Sequence, residues 1–420
     1  MRPLPRRTTL ALLLALACGG AAALEPITMD SAYLAIAKAR AAAGDASVAP
    51  ALHKLLQDAD ALLLRPSEAV TNKTMTPPSG DKHDYLSLAP YWWPDPSKPG
   101  GLPYKQRDGE FNPSAKNGAT DSVRMQYMCH GVEKLALAYY FTGKSEYARK
   151  AAEAIRSWFL EPATRMQPSL KYGQAVMGKV EGRGTGLIDT RNLWMVADAV
   201  ALIGPSGSLS EAETQGVQRW FGDFAQWMQV SKLGMDENGA ANNHGMYYDM
   251  QLADFYLFAG ERAKAKAAVQ NALATRIVAQ VEPDGSQPRE LARTTPFHYS
   301  AFNLDAMTTL ARYGEQVGVD IWHAQEGARG MRHAIDYMVP FAVKPSTWPH
   351  KELRSVETEL MLPILLRAER AYGTGAYARA AAALPLSQIK TVDIDAAIGP
   401  LGTAAPNTAD TVDRLLWPVK

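Results

Sequence analysis

Apolar and small residues recur at the three-to-four-residue spacing of helices along most of the chain, and the period-two alternation of half-buried strands is scarce. The organisation is clearest where these helices stop. Ala138-Tyr139-Tyr140-Phe141-Thr142-Gly143 precedes Glu146-Tyr147-Ala148-Arg149, Tyr256-Leu257-Phe258-Ala259-Gly260 precedes Arg262-Ala263-Lys264-Ala265, and Ala371-Tyr372-Gly373 precedes Tyr377-Ala378-Arg379-Ala380. Weaker copies end at Gly204 and Gly314. In each, an aromatic or aliphatic helix end meets a glycine suited to a left-handed helix stop, and a new Ala-rich helix follows.

The five glycines lie 61, 56, 54 and 59 residues apart, about the length of one helical hairpin with its connections. Residues 34–64 add a sixth unit. The pattern therefore predicts an all-α protein, an incomplete (α/α) toroid built from about six helical hairpins. A closed ring is favoured over an open solenoid because three long irregular stretches, 71–116, 166–191 and 234–245, need a common rim on which to build a site. The first of these is rich in aromatics, which speaks for a functional loop and against disorder.

The start of the chain reads differently. Residues 1–23 combine a basic Arg2 to Arg7 region, an apolar run too short to span a bilayer, and Ala21-Ala22-Ala23 as a processing site. They are expected to be an export signal peptide, which places the mature chain, 24–420, in the periplasm as one catalytic domain. Lipid attachment at Cys18 is disfavoured by Ala15 three residues before it. Cys129 is then the sole remaining cysteine, so no internal disulfide can form and the core alone must hold the fold. With 47% hydrophobic residues and a net charge of +1, the chain can bury a large core. The same balance argues against nucleic acid or a membrane as partner. An acidic ligand has to be met by a local basic site.

Two segments carry candidate chemistry. Asn242-Asn243-His244-Gly245 stands just before a helix predicted over 246–259, where amide, imidazole and free helix N–H groups can face an anion together. The bland reading is a helix-capping Asn and an exposed His. Arg289-Glu290-Leu291-Ala292-Arg293-Thr294-Thr295-Pro296-Phe297-His298-Tyr299 places Arg293 and Tyr299 on either side of a proline that interrupts any continuous helix. A phenol with an ordinary pKa of about 10 is a poor acid or base, and a neighbouring guanidinium favours its ionised form. The bland alternative is a surface Arg and a core Tyr.

Taken together, the chain resembles the alginate lyase superfamily of α/α-toroid polysaccharide lyases. The resemblance rests on an ordered set: Lys82-His83-Asp84-Tyr85, Tyr91-Trp92-Trp93-Pro94-Asp95-Pro96, Trp158-Phe159-Leu160, Thr164-Arg165-Met166-Gln167-Pro168, Gly182-Arg183-Gly184-Thr185-Gly186, Asn242-Asn243-His244-Gly245 and Arg289-Glu290-Leu291-Ala292-Arg293. It implies cleavage of an anionic uronic-acid polysaccharide, alginate or glucuronan, by β-elimination without metal or cofactor. Asn243 and Arg293 would neutralise the substrate carboxylate, His244 would act as base or charge neutraliser, and Tyr299 would donate to the glycosidic oxygen, with His298 as the alternative. Tyr85, Tyr91, Trp92 and Trp93 would stack on sugar rings, and Lys82, His83 and Arg183 would pair with neighbouring carboxylates. Tyr172, Gln174 and Trp348 complete the expected substrate contacts.

Competing readings fare worse. Gly182-Arg183-Gly184-Thr185-Gly186 lacks the preceding strand and the glycine spacing of a dinucleotide fingerprint. No histidine pair has zinc-ligand spacing, and no Gly-x-Ser-x-Gly elbow is present. A toroidal glycoside hydrolase using two carboxylates such as Asp189 and Asp249 would leave the Asn, His, Arg and Tyr set without a purpose. A non-catalytic periplasmic polysaccharide-binding protein would need the aromatics but neither His244 nor Tyr299.

Overall fold

The computed structural model describes residues 24–385 and 412–418; the expected export signal at 1–23 lies outside the described residues. Six pairs of consecutive helices follow one another: Ser31–Ala42 with Ala49–Leu63, Ser122–Thr142 with Ser145–Phe159, Trp194–Ile203 with Glu211–Val230, Asn243–Phe258 with Arg262–Ala272, Pro296–Val317 with Met331–Val343, and Met361–Tyr372 with Ala376–Ala383. The first helices of successive pairs pack side by side from 122–142 round to 361–372. Helix Asp413–Leu416 touches both ends of the series, against 31–42, 49–63 and 361–372. The fold is an all-α (α/α) toroid.

Burial separates the two rings. Helices 122–142, 243–258 and 296–317 are buried on nearly every side, as expected of inner helices packed between neighbours. Helix Ser145–Phe159 instead buries one stripe, Tyr147, Ala148, Ala151, Ala152, Ile155, Trp158 and Phe159, and turns its charged face to solvent. Among the described residues no helix is long and apolar enough to cross a membrane.

The glycine stops hold at three of the five expected places. Gly143 and Gly373 cap their helices in the left-handed conformation, and Gly260 takes it one residue past its cap. Gly204 does not: its φ is −47°, the backbone continues into a short 3-10 turn, and Gly207 turns left-handed instead. Gly314 lies inside helix 296–317, which runs on to a left-handed Gly318. Its lack of a side chain serves packing, because a Cβ there would stand 2.4 Å from the Val319 carbonyl oxygen.

The strands found are two to four residues long and most sit in the irregular stretches. Leu86–Leu88 pairs in parallel with Tyr172–Ala175, and Trp92–Trp93 pairs antiparallel with Lys105–Gln106. The 71–116 stretch is tied down by a fully buried ion pair, Lys73 Nζ to Asp121 Oδ2 at 2.8 Å. Lys73 also donates to the Lys82 carbonyl, and Asp121 accepts from the Leu86 N–H.

Two further carboxyls are buried in the inner helices. Asp198 accepts from the backbone N–H groups of Ile27, Thr28 and Met29, fastening the start of the described chain, and burial raises it to about 7 against those donors. Asp254 finds no hydrogen-bond partner for either oxygen among the described residues, and burial, then the charge of Asp198, push its pKa well above the ordinary value.

An acid whose folded pKa is raised contributes fully only below its unfolded value of about 3.9, and that contribution is lost as pH rises. Asp254→Asn removes this loss. The stability difference between variant and parent, from urea unfolding, should therefore grow in the variant's favour between about pH 4.5 and pH 8. An equal difference at both ends would show that Asp254 is not held neutral.

Candidate active site

Helix 243–258 starts earlier than the hydrophobic pattern suggests. Asn242 is its N-cap, with its side chain accepting from the His244 N–H, so Asn243 and His244 occupy the first turn and do not precede the helix. Gly245 follows because a Cβ there would stand 2.1 Å from the Ala240 carbonyl oxygen and 2.9 Å from the Arg276 guanidinium carbon. The expectation of free N–H groups at this helix start is also corrected. The Asn243 N–H donates to Glu290 Oε1 and its amide nitrogen to Glu290 Oε2, both at 2.7 Å. A protein carboxylate already fills the anion seat.

Glu290 thereby joins the two candidate segments. It lies in the short helix Pro288–Leu291, and its carbonyl accepts from the Arg293 N–H at 3.1 Å. Its side chain is within electrostatic reach of both Arg293 and His244. Burial raises the Glu290 carboxyl, opposed by the Asn243 hydrogen bonds and by those two charges. Buried amides reinforce the join. Gln280 donates to the carbonyls of Ala241 and Asn242, Asn303 donates to Gln280 and Gln287, and Gln287 donates to the Ser300 carbonyl.

The proline turn works as the spacing predicts. Pro296 opens helix 296–317, and Tyr299 sits in its first turn facing back toward Arg293. Arg293 Nη2 donates to the Tyr299 hydroxyl at 2.8 Å, with the guanidinium carbon 3.7 Å from the ring centroid. The ionisation argument needs correcting, however. Burial and the adjacent Tyr91 outweigh Arg293, and the Tyr299 pKa is driven far above its ordinary value. The resting phenol is protonated.

Three partners around this pair had no role assigned from sequence. Asp108, from the long loop, holds Arg293 through Nη2 at 2.7 Å and Nε at 3.3 Å. Glu237, 2% exposed, meets His244 Nδ1 at 2.6 Å and leaves Nε2 without a partner among the described residues. Glu290 is the third. The only sequence signal for these was acidic residues near each basic candidate, a pattern too common to single out.

The loop residues divide sharply. Tyr91 reaches the site, its hydroxyl 2.9 Å from that of Tyr299. Trp92 is half-buried beneath Lys179 and Arg183, at 4.6 and 5.8 Å. Trp93 donates to the Glu110 carbonyl and anchors the loop hairpin. Tyr85 is completely buried with its hydroxyl on Asp189, so it cannot stack on a sugar. Lys82 donates to the Lys73 carbonyl and His83 bonds the Arg165 carbonyl; both secure the loop away from Arg293 and Tyr299.

Gln174 is buried at a left-handed φ of 49°, accepting from Arg183 Nη2 at 2.9 Å and donating to Asp189. Tyr172 packs on the small Leu86–Leu88 cluster. Trp348 donates to Glu352, which also caps the Phe297 N–H, so it steadies the start of helix 296–317. His298 turns to Glu357 at 2.5 Å. The carboxylates of the hydrolase alternative are spent in the interior: Asp189 accepts from Tyr85, Ser87 and Gln174, and Asp249 pairs with Arg276 at 2.9 Å.

The family model described as alginate lyase matches residues 69–348. The crystal structure of an alginate lyase from Bacteroides ovatus is 36% identical, with a TM-score of 0.85 over 95% of this chain and 100% of that one. Alginate lyase A1-III from Sphingomonas species A1 is 14% identical, with a TM-score of 0.52 over 95% of this chain and 98% of that one, a likeness of fold alone. A search of the curated proteins gave no match.

Glu290→Ala tests the join. It strands two buried Asn243 donors, each worth about 1–3 kcal/mol, so urea unfolding should show a loss of about 2–5 kcal/mol. A change below about 0.5 kcal/mol, the ordinary scatter of surface substitutions, would mean that Glu290 does not organise the site.

Proposed function

The chain belongs to the alginate lyase family and is a polysaccharide lyase; from that premise we propose that it cleaves a (1,4)-linked polyuronate, alginate or glucuronan, by β-elimination, leaving 4,5-unsaturated uronate ends. The observation that carries this reading is the Arg293–Tyr299 contact, bound through Glu290 to Asn243, the chain neighbour of His244.

Elimination removes a proton beside an ionised carboxylate, so that carboxylate must be neutralised and the developing enolate stabilised. Arg293 Nη1 has no acceptor among the described residues, and the Asn243 amide spends one of its two N–H groups on Glu290. These remaining donors are assigned to the substrate carboxylate.

Proton traffic then depends on which face of the sugar carries H5. On guluronate, H5 and O4 leave from opposite faces: His244 takes H5 and Tyr299 protonates the departing O4. Glu237 on Nδ1 fixes the imidazole and steadies the charge it gains. On mannuronate or glucuronate both leave from one side, which suits Tyr299 as base and then acid. There the phenol must first pass its proton to water, and Arg293 at 2.8 Å stabilises the resulting phenolate, which takes H5 and returns that proton to O4. Residues 1–23 support export of the enzyme to the periplasm.

The test uses polymannuronate, polyguluronate and glucuronan with the ultraviolet absorbance of the unsaturated uronate as readout. Tyr299→Phe should lower turnover on the cleaved polymer by about 10²–10⁴, the usual worth of a general acid or base, while oligosaccharide still binds. His244→Ala should lose most on polyguluronate. Reducing ends without the chromophore would indicate a hydrolase, and undiminished turnover in Tyr299→Phe would remove the phenol from the mechanism.

A further inference from the structure

Lys116 closes the 71–116 loop just after the short 3-10 turn Pro113–Ala115. Its half-buried ammonium makes no hydrogen bond or ion pair among the described residues, yet it lies within electrostatic reach of Asp189 and Arg191. Burial pulls the Lys116 pKa down. Arg191 is also half-buried and poorly partnered among the described residues. Its one hydrogen bond among the described residues goes from Nη1 to the Ile188 carbonyl at 3.1 Å, and no carboxylate touches it.

Asp189, the acid within electrostatic reach of Lys116, is no direct counter-ion. It is 4% exposed and its oxygens are taken by the neutral donors of Tyr85, Ser87 and Gln174. Two shielded cations therefore lie within electrostatic reach of one another, with Asp189 as the interior charge near Lys116, in a chain whose net charge is only +1. Like charges held together out of bulk water are unfavourable unless an anion joins them.

The position of the pair indicates which anion. The Arg191 guanidinium lies 5.7 Å from the Phe302 ring centroid. Phe302 stacks on His298 at 5.8 Å, and His298 packs edge-on against Tyr299 at 5.1 Å. A line of rings thus leads from the proposed acid to the two cations, with Phe302 offering an apolar face of the sort that sugar C–H groups pack against.

We propose that Lys116 and Arg191 form a second carboxylate-binding subsite, which seats a uronate unit of the same chain neighbouring the one held at Arg293. The subsite rests on the polyuronate reading above and makes the enzyme select chains charged at successive units. Neutral sugars at that position leave both cations unpaired and are disfavoured.

Binding is measured by calorimetry with uronate hexamers in a Tyr299→Phe background, where turnover does not interfere. Adding Lys116→Gln, which breaks no hydrogen bond or ion pair among the described residues, should weaken binding about tenfold and reduce its salt dependence. Arg191→Gln should act similarly and Arg191→Lys less. For a hexamer with its carboxyls reduced to alcohols, Lys116→Gln should make no difference. Should Lys116→Gln and Arg191→Gln, both folded by circular dichroism, bind the charged hexamer within about twofold of the parent, the subsite is refuted. If the unmodified enzyme yields the unsaturated chromophore in that case, only the subsite fails. If it neither binds nor cleaves any polyuronate, both proposals fall.

Discussion

Everything at the site depends on one buried carboxylate bridging two segments that the chain keeps 47 residues apart. Glu290 binds the backbone and side-chain nitrogens of Asn243 at once, and its own carbonyl receives the Arg293 N–H. A bidentate seat of this kind fixes position as well as orientation. The surrounding amides of Gln280, Gln287 and Asn303 add hydrogen bonds that run from the Ala241 carbonyl to that of Ser300. In a shielded interior such a network is rigid because each unmade bond costs the full desolvation of its group.

That frame explains how a long loop can be functional without being loose. The 71–116 stretch enters through the Lys73–Asp121 pair, where removing one partner of a buried ion pair costs about 3–5 kcal/mol. Its far end delivers Tyr91 to Tyr299 and Asp108 to Arg293. The inner helices supply the nucleus of the site, and the loop supplies the atoms that touch its reactive groups from above. Tyr299 is only 5% exposed with the Tyr91 hydroxyl against its own, and burial, then Tyr91, raise its pKa above the ordinary value.

The hairpin count and the all-helical class were readable because both come from local regularities, helical periodicity and helix stops. Gly204 and Gly314 misled for a local reason as well. A glycine is equally at home in a left-handed stop and in a crowded helix contact, and only the neighbouring Val319 carbonyl decides the second case. Arg293 and Tyr299 could be paired from the proline between them. Their ionisation could not, since it is set by burial and by Tyr91, 208 residues away. Tyr85 and Trp93 have the composition of sugar platforms, but hydrogen bonds to Asp189 and Glu110 turn them to structural use. Asp108, Glu237 and Glu290 were invisible because an acidic residue acquires meaning only from the cation or amide it meets in space.

Those three acids share a consequence for catalysis. Each sits on a group assigned to the reaction, Asp108 on Arg293, Glu237 on His244 and Glu290 on Asn243, so the geometry of the site is held before substrate arrives. Preorganisation of that kind spares the reaction the reorganisation that mobile charges would need. It also limits where a polyanion can enter. On the proposed reaction, a substrate carboxylate does not displace carboxylates that are themselves well seated; it goes to the donors they leave over among the described residues, which are Arg293 Nη1 and the second Asn243 N–H. Recognition of an anionic chain by a protein with almost no net charge would, on that proposal, come down to a few placed donors and not to a diffuse basic surface.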